Sequence, residues 1–241
     1  QVGSLYHRTL ELVYSESMMN HIDPLEILDS VAAKVFEAAP EMFGFRPSAL
    51  WEVEKSQRLE KLRKSLQALE AERGAWQPIA FEKKFGIQGT PHLELKLSGG
   101  KIRLHGVIDR VDRNPNGEIR VIDYKTGSSH LGRPDLQKGL RLQLPIYGMA
   151  AQDALQLGEV VDGFYWKIND ACASSLQLSN FESEHGKGIE KAYQVTKDYI
   201  SKYIARIQEG SFMPEPHNDV CPSYCPASQW CWRYRAGYKN D

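Results

Sequence analysis

Asp109, Asp123 and Lys125 are the side chains whose types and spacing point most directly to chemistry. They lie in two apolar, β-branched runs, residues 106–112 (Gly-Val-Ile-Asp-Arg-Val-Asp) and 121–127 (Val-Ile-Asp-Tyr-Lys-Thr-Gly). The link between the runs holds Asn114, Pro115, Asn116 and Gly117, so the two read as antiparallel strands of one hairpin. Successive side chains on a strand alternate faces, which puts Asp123 and Lys125 together and Tyr124 opposite. With Asp109 at matching height on the neighbouring strand, two carboxylates and an ammonium meet at one spot. Oxygen ligands of that kind suit Mg²⁺ or Mn²⁺, bridged by Asp109 and Asp123. Lys125 beside them can orient or help deprotonate a water and steady charge on a phosphoryl group. An Asp and a Lys two residues apart on an exposed strand are usually a solvated ion pair. Here they sit in a stretch apolar enough for a central strand, where unpaired charge is expensive.

The elements that must carry this site are legible in outline. Leu5, Leu10, Val13, Tyr14 and Met18 predict a helix over 5–20. Asp23-Pro24 is an N-cap with proline at the first helical position, opening a second helix that Pro40 is expected to break near residue 39. A charged helix over 48–73 carries Leu59, Leu62, Leu66 and Leu69 on one face, too short a heptad run for a coiled coil. Strands are expected at 79–87, 93–97, 102–112 and 118–124, with turns at Gly99-Gly100 and Asn116-Gly117. A helix over 134–157, strands at 161–168 and 176–181 and a last helix over 189–207 complete the pattern. The expected fold is a mixed α/β sheet flanked by helices. It forms a single domain, with a helical part over 1–76, an α/β catalytic core over 77–210 and a cysteine-rich tail over 211–241.

Composition excludes more than it assigns. A net charge of −1 over 241 residues supplies no global basic field, so nucleic-acid binding would have to come from local patches. No apolar run approaches the ~20 residues of a membrane span, and the first residues lack the basic end and apolar block of a signal peptide. The chain does not begin with Met and reads as an excised piece. Four cysteines, three of them in the tail, indicate metal ligation in a reducing compartment, taken as a bacterial or phage-like cytoplasm, rather than a disulfide framework.

Five segments in order carry a family resemblance. They are Gly3-x-x-x-His7, the 106–112 run, Ile122-Asp-Tyr-Lys-Thr-Gly127, Gln143-Leu-Pro-Ile-Tyr147, and Cys221-x3-Cys225-x5-Cys231. Together they resemble the RecB-type nuclease family of the PD-(D/E)XK superfamily, in particular its iron–sulfur members such as the AddB nuclease domain. The resemblance implies a restriction-endonuclease-like core and a metal-dependent deoxyribonuclease, exonucleolytic rather than endonucleolytic, acting on single-stranded DNA or ends in repair or recombination. A helicase subunit or domain is the implied partner. The rival is a catalytically silent DNA-binding or scaffolding module. All of Asp109, Asp123 and Lys125 are present, which favours an enzyme.

The same resemblance implies roles for further residues. His7 becomes a metal ligand brought in by the first helix, and the backbone carbonyl of Tyr124 another. A lone helical His would otherwise be a packing residue. Gln143 and Tyr147 share a helix face at i, i+4 and meet DNA phosphate or the catalytic lysine. Glu82 serves the second shell of the metal, although a surface charge on a strand reads almost equally well. Arg110, Arg113, Lys138 and Arg141 are candidate phosphate contacts or ordinary solvated charges.

The tail trio supplies three of the four ligands that tetrahedral zinc or a [4Fe–4S] cluster requires. The family pattern puts the fourth cysteine upstream of the histidine motif. Cys172, in a predicted turn, reads as structural.

Overall fold

The computed structural model describes residues 1–46, 48–97, 99–127, 131–216, 220–221 and 225–233. Its chain divides into two compact units, Gln1–Tyr199 and Ile200–Asp241.

Three helices open the first unit: α1 (Val2–Asn20), α2 (Pro24–Phe43) and α3 (Ala49–Ala71). α1 buries Leu5, Leu10, Val13 and Tyr14 of the expected stripe, with Tyr6 added, while Met18 near its end is exposed; the helix closes at His21 in the left-handed region (φ 55°). α2 starts as expected, with the Asp23 carboxylate accepting from the Leu25 amide at 2.7 Å. It does not break at Pro40. It runs on to Phe43 and ends at Gly44, whose amide reaches back to the carbonyls of Ala39 and Pro40. Proline so near a helix end removes one backbone bond with less than a full turn to follow, and burial of Phe36 and Ala39 holds the helix through it. α3 is capped by the Ser48 side chain and buries Trp51, Leu62, Leu66 and Leu69.

A five-stranded sheet in the order β1-β4-β5-β6-β7 follows, formed by β1 (Gln77–Phe85), β4 (Gly106–Arg113), β5 (Ile119–Lys125), β6 (Val160–Lys167) and β7 (Cys172–Gln177). All neighbours are antiparallel except β5 and β6. A parallel pair needs a crossover, and residues between these strands supply it: α4 (Arg133–Gln137), α5 (Gln143–Met149) and a π-turn (Ala150–Ala154). One face of the sheet, through Phe81, Ile122, Tyr124, Phe164 and Trp166, packs with the three N-terminal helices. The Trp166 indole N–H donates to Ser65 on α3 at 2.8 Å, satisfying the polar end of a fully buried ring.

Three further predicted elements differ from those observed. The run 102–112 is two strands, β3 (Gly100–Leu104) and β4, parted at His105; β3 pairs with β2 (Leu93–Leu97) in a separate two-stranded ribbon. The helix predicted over 134–157 is interrupted by Gly139 (φ 76°) and Arg141 (φ 56°). A Cβ on Gly139 would stand 2.2 Å from the Tyr199 ring, so tertiary packing fixes a glycine and ends α4 there. β7 begins at Cys172 rather than 176, because the turn before it closes within four residues, 168–171, ending at Ala171 (φ 51°). Cys172 is therefore a strand residue, paired with Lys167.

The last helix of the fold is α6 (Ile189–Gln208), preceded by a two-stranded pair, β8 (Glu182–Ser183) and β9 (Gly186–Lys187). Within the second unit, Arg206 pairs with Glu215 at 2.7 Å and the Arg233 guanidinium donates to the Pro214 carbonyl at 2.7 Å.

Arg110 is fully buried, so it is not a phosphate contact. Its guanidinium grips Asp112 (Nε to Oδ1, 2.5 Å) and lies 4.2 Å over the Tyr14 ring. Arg120 on β5 donates to the same carboxylate at 2.9 Å. One anion thus holds two buried cations between the sheet and α1. Replacing Asp112 with Ala would leave both guanidinium groups without their counter-charge, at a cost of roughly 3–5 kcal/mol. Urea unfolding of D112A against wild type checks this; a loss under 1 kcal/mol would mean the two arginines find water or other acceptors.

Candidate active site

The β4–β5 register pairs Arg110 with Ile122 and Val111 with Val121. Continued by one residue, it sets Asp109 opposite Asp123. Both side chains are buried. The Asp109 carboxylate accepts from the Tyr124 amide at 2.7 Å. β1 brings a third acid: its register with β4 pairs Phe81 with Arg110 and Lys83 with Ile108, which puts Glu82 level with Asp109. Glu82 adopts φ 42°, a left-handed conformation that costs a non-glycine residue about 1–3 kcal/mol and is characteristic of functional sites.

α1 delivers His7 onto this group. Its Nδ1 lies 3.4 Å from Asp109 and 3.5 Å from Glu82, while Nε2 sits 3.1 Å from the Tyr124 carbonyl oxygen. Among the described residues, His7, Glu82 and Asp109 are the one group of His, Cys, Asp or Glu side chains whose ligand atoms all lie within 4.8 Å of one another. Gly3, one turn earlier, runs past the end of β5: a Cβ there would meet Thr126 Oγ1 at 3.6 Å, an ordinary contact. Space alone therefore does not demand glycine at this position.

Electrostatics register the crowding. Burial lowers the His7 pKa, but hydrogen bonding and charge from Asp109 and Glu82 outweigh it and raise the value to about 10. Asp123 is pushed up to about 7, first by burial and then by the neighbouring Asp109 charge, against the pull of Lys125 and His7. Lys125 Nζ approaches Asp123 Oδ2 at 2.5 Å. Neither Asp123 oxygen has a directed hydrogen-bond donor, so this is a charge contact and leaves the carboxylate incompletely satisfied. Two carboxylates, a carbonyl and an imidazole round one point, beside a buried carboxylate whose near cation is Lys125, form a set that suits a hard divalent cation.

Lys125 belongs to a second chain of contacts. Its ammonium donates to Gln143 Oε1 at 2.8 Å, and Gln143 Nε2 donates to the Tyr147 hydroxyl at 2.7 Å. Both partners stand on α5, one turn apart. Tyr147 meets Phe85 edge-to-face, with ring centroids 6.1 Å apart. Tyr165 lies under the Lys125 ammonium, 5.3 Å from ring centroid to Nζ, and anchors its hydroxyl on the Arg141 carbonyl at 3.1 Å. Nothing in the sequence singled out Tyr165; its parallel pairing with Asp123 is visible only once the crossover is known. The α5 helix opens into the π-turn, a feature frequent beside functional sites.

The remaining candidates scatter. Arg110 is buried in the ion-pair network. Arg113 donates to the Leu157 carbonyl at 2.7 Å, at the far end of β4. Lys138 and Arg141 are exposed on the loop leading into α5. Cys221, Cys225, Cys231 and Cys172 are free, partly buried thiols.

The sequence profile of the PD-(D/E)XK nuclease superfamily matches residues 1–232. The chain belongs to that superfamily. Relatives of this PD-(D/E)XK chain include bacterial proteins whose name makes each a subunit of an ATP-dependent helicase/deoxyribonuclease. The one from Moorella thermoacetica is 34% identical over 179 residues, 67% of this chain and 15% of its own length. Those from Ruminiclostridium cellulolyticum and Clostridium tetani are 41% and 38% identical over 58% and 46% of the chain, and 13% and 10% of their own lengths. The chain thus spans no more than 15% of these relatives.

The His7 shift has a consequence for stability in chelator. A histidine raised in the folded state stabilises below its unfolded pKa near 6.5, and that stabilisation is lost as pH rises through about 10. Asp123 is also raised, so its contribution is largest at low pH and is lost as pH climbs from about 3.8 to about 7. Wild type should therefore exceed His7→Gln in metal-free stability near pH 6, with the gap closing toward pH 10. Denaturant midpoints across that range check it; a gap that widens with pH would contradict the charged His7.

Proposed function

We propose that the chain is a metal-dependent DNA nuclease domain that hydrolyses phosphodiester bonds on single strands or DNA ends. It would act exonucleolytically, within a larger helicase–nuclease protein or complex in a bacterial cytoplasm. One observation carries this: His7, Glu82, Asp109 and the Tyr124 carbonyl surround one point beside the paired Asp123 and Lys125. The superfamily and the names of the relatives point the same way. Among the described residues no helix is long and apolar enough to cross a membrane.

Each residue then has a task. His7, Asp109, Asp123 and the Tyr124 carbonyl hold Mg²⁺ or Mn²⁺, and Glu82 joins them as a direct ligand rather than an outer support. When bound, the cation polarises a phosphoryl oxygen and acidifies a bound water. Lys125 orients the attacking water and offsets charge on the phosphoryl oxygens. Gln143 and Tyr147 fix the lysine, and Tyr165 supports it from below. Arg141, at the mouth of α5, meets a DNA phosphate. Asp123→Ala and Lys125→Ala should each lower cleavage of a labelled oligonucleotide about a hundredfold or more while leaving the folded circular dichroism unchanged. Cleavage above a few per cent in either folded variant would remove that residue from the reaction. Mg²⁺ or Mn²⁺ should support turnover, and Ca²⁺ DNA binding with little turnover. Activity that survives exhaustive chelation would end the metal reading.

The tail is proposed to hold a [4Fe–4S] cluster through Cys221, Cys225 and Cys231 with a fourth ligand outside that trio. Anaerobically purified protein should carry iron with brown absorbance, lost together in Cys225→Ala. Iron retained in full by that variant would refute the ligand set.

A further inference from the structure

The ribbon of β2 and β3 has two unlike faces. Inward lie Leu93, Leu95, Leu97, Ile102 and Leu104, with β2 against the π-turn that follows α5. Outward lie Glu94, Lys96, Lys101 and Arg103, all exposed, with His92 and His105 at the foot. Residues 83–105 hold five of the chain's 30 Lys and Arg but only one of its 31 Asp and Glu, Glu94. On the ribbon's outward face itself, Lys96, Lys101 and Arg103 stand against Glu94 alone, the local patch that an overall charge of −1 requires of a nucleic-acid binder.

The charge placement is costly to the ribbon itself. Lys96 and Lys101 are directly cross-strand partners, and like charges so paired destabilise a hairpin. Glu94 offsets this in part, 2.9 Å from Lys101 and 4.0 Å from Arg103. A two-stranded ribbon is marginal alone, so a repulsive pair on its solvent face calls for a counter-charge from elsewhere.

The foot of the ribbon is locked to the site. The Gly86 amide donates to the Pro91 carbonyl at 2.8 Å, and a Cβ on Gly86 (φ 67°) would stand 2.8 Å from that of His105. A Cβ on Gly106 would come within 2.9 Å of the Phe85 ring and 3.6 Å of Tyr147. The ribbon thus grows from the ends of β1 and β4, the strands that carry Glu82 and Asp109, beside the tyrosine that holds Gln143.

We propose that the outward face of the β2–β3 ribbon, through Lys96, Lys101 and Arg103, is a phosphate-binding arm that tracks the backbone of a DNA strand entering or leaving the catalytic centre. The inference rests on the nuclease reading of that centre. Contacts of this kind position a strand without reading its bases. They also release counterions, so affinity falls with salt by a slope set by the number of phosphates neutralised.

The test compares the full chain with K96Q/K101Q/R103Q and with E94Q, using fluorescence anisotropy of a labelled single-stranded oligonucleotide in Ca²⁺ across a salt series. A small chromogenic phosphodiester, too short to reach the ribbon, reports the catalytic centre in Mg²⁺. The triple variant should bind the oligonucleotide about tenfold or more weakly at low salt, with a slope smaller by about two, given ~0.7 per phosphate on a single strand. Its hydrolysis of the small diester should stay within about twofold of wild type, and E94Q should bind several-fold more tightly. Unchanged affinity and slope in the triple variant would overturn the arm, as would E94Q binding no tighter than wild type or a wild-type chain that binds no DNA. Wild type that binds DNA with this charge dependence yet cleaves nothing would overturn the nuclease reading and leave the arm standing.

Discussion

Two carboxylates side by side inside a sheet are the constraint around which this structure is organised. The β4–β5 register puts Asp109 opposite Asp123, and the pKa of Asp123 is raised to about 7, first by its own burial and then by the charge of Asp109. Like charges in a low-dielectric site need compensation. His7 arrives from α1 and Lys125 from the same strand as Asp123, so each cation is matched to one acid. Glu82, in a strained backbone conformation, adds a further negative charge where a stability-only design would not. That excess is what a divalent cation can neutralise.

Rigidity around the acids comes from the opposite face of the sheet. Asp112 holds Arg110 and Arg120, Arg110 lies over Tyr14 of α1, and α1 thereby fixes the height at which His7 meets Asp109. Tyr124 links the two faces: its ring is buried with the helices, its amide binds Asp109 and its carbonyl faces His7. The acidic cluster and the structural ion-pair network are alternate positions along the same two strands. Strand alternation separates them by function.

Much of this was legible in the sequence because its signals are local. Asn-Pro-Asn-Gly between β-branched runs announces the β4–β5 hairpin, and period two assigns Asp123 and Lys125 to one face. The Asp23 cap and the stripe of α1 are equally local. What escaped depends on distant packing. The break between α4 and α5 follows from the Tyr199 ring against Gly139. The burial of Arg110 follows from Tyr14, a residue on another element. Glu82 is expected only behind the metal's ligands, and neither its positive φ nor its place level with Asp109 beside His7 follows from any local pattern. Tyr165 joins the site only through a parallel pairing set by the crossover.

Anomalous diffraction from crystals of the chain soaked in Mn²⁺ tests the central arrangement most directly. A peak within coordination distance of His7, Asp109 and the Tyr124 carbonyl, with Glu82 or Asp123 completing the ligands, is the predicted result. A peak elsewhere, or no peak in crystals whose protein still cleaves DNA with Mn²⁺, would contradict it.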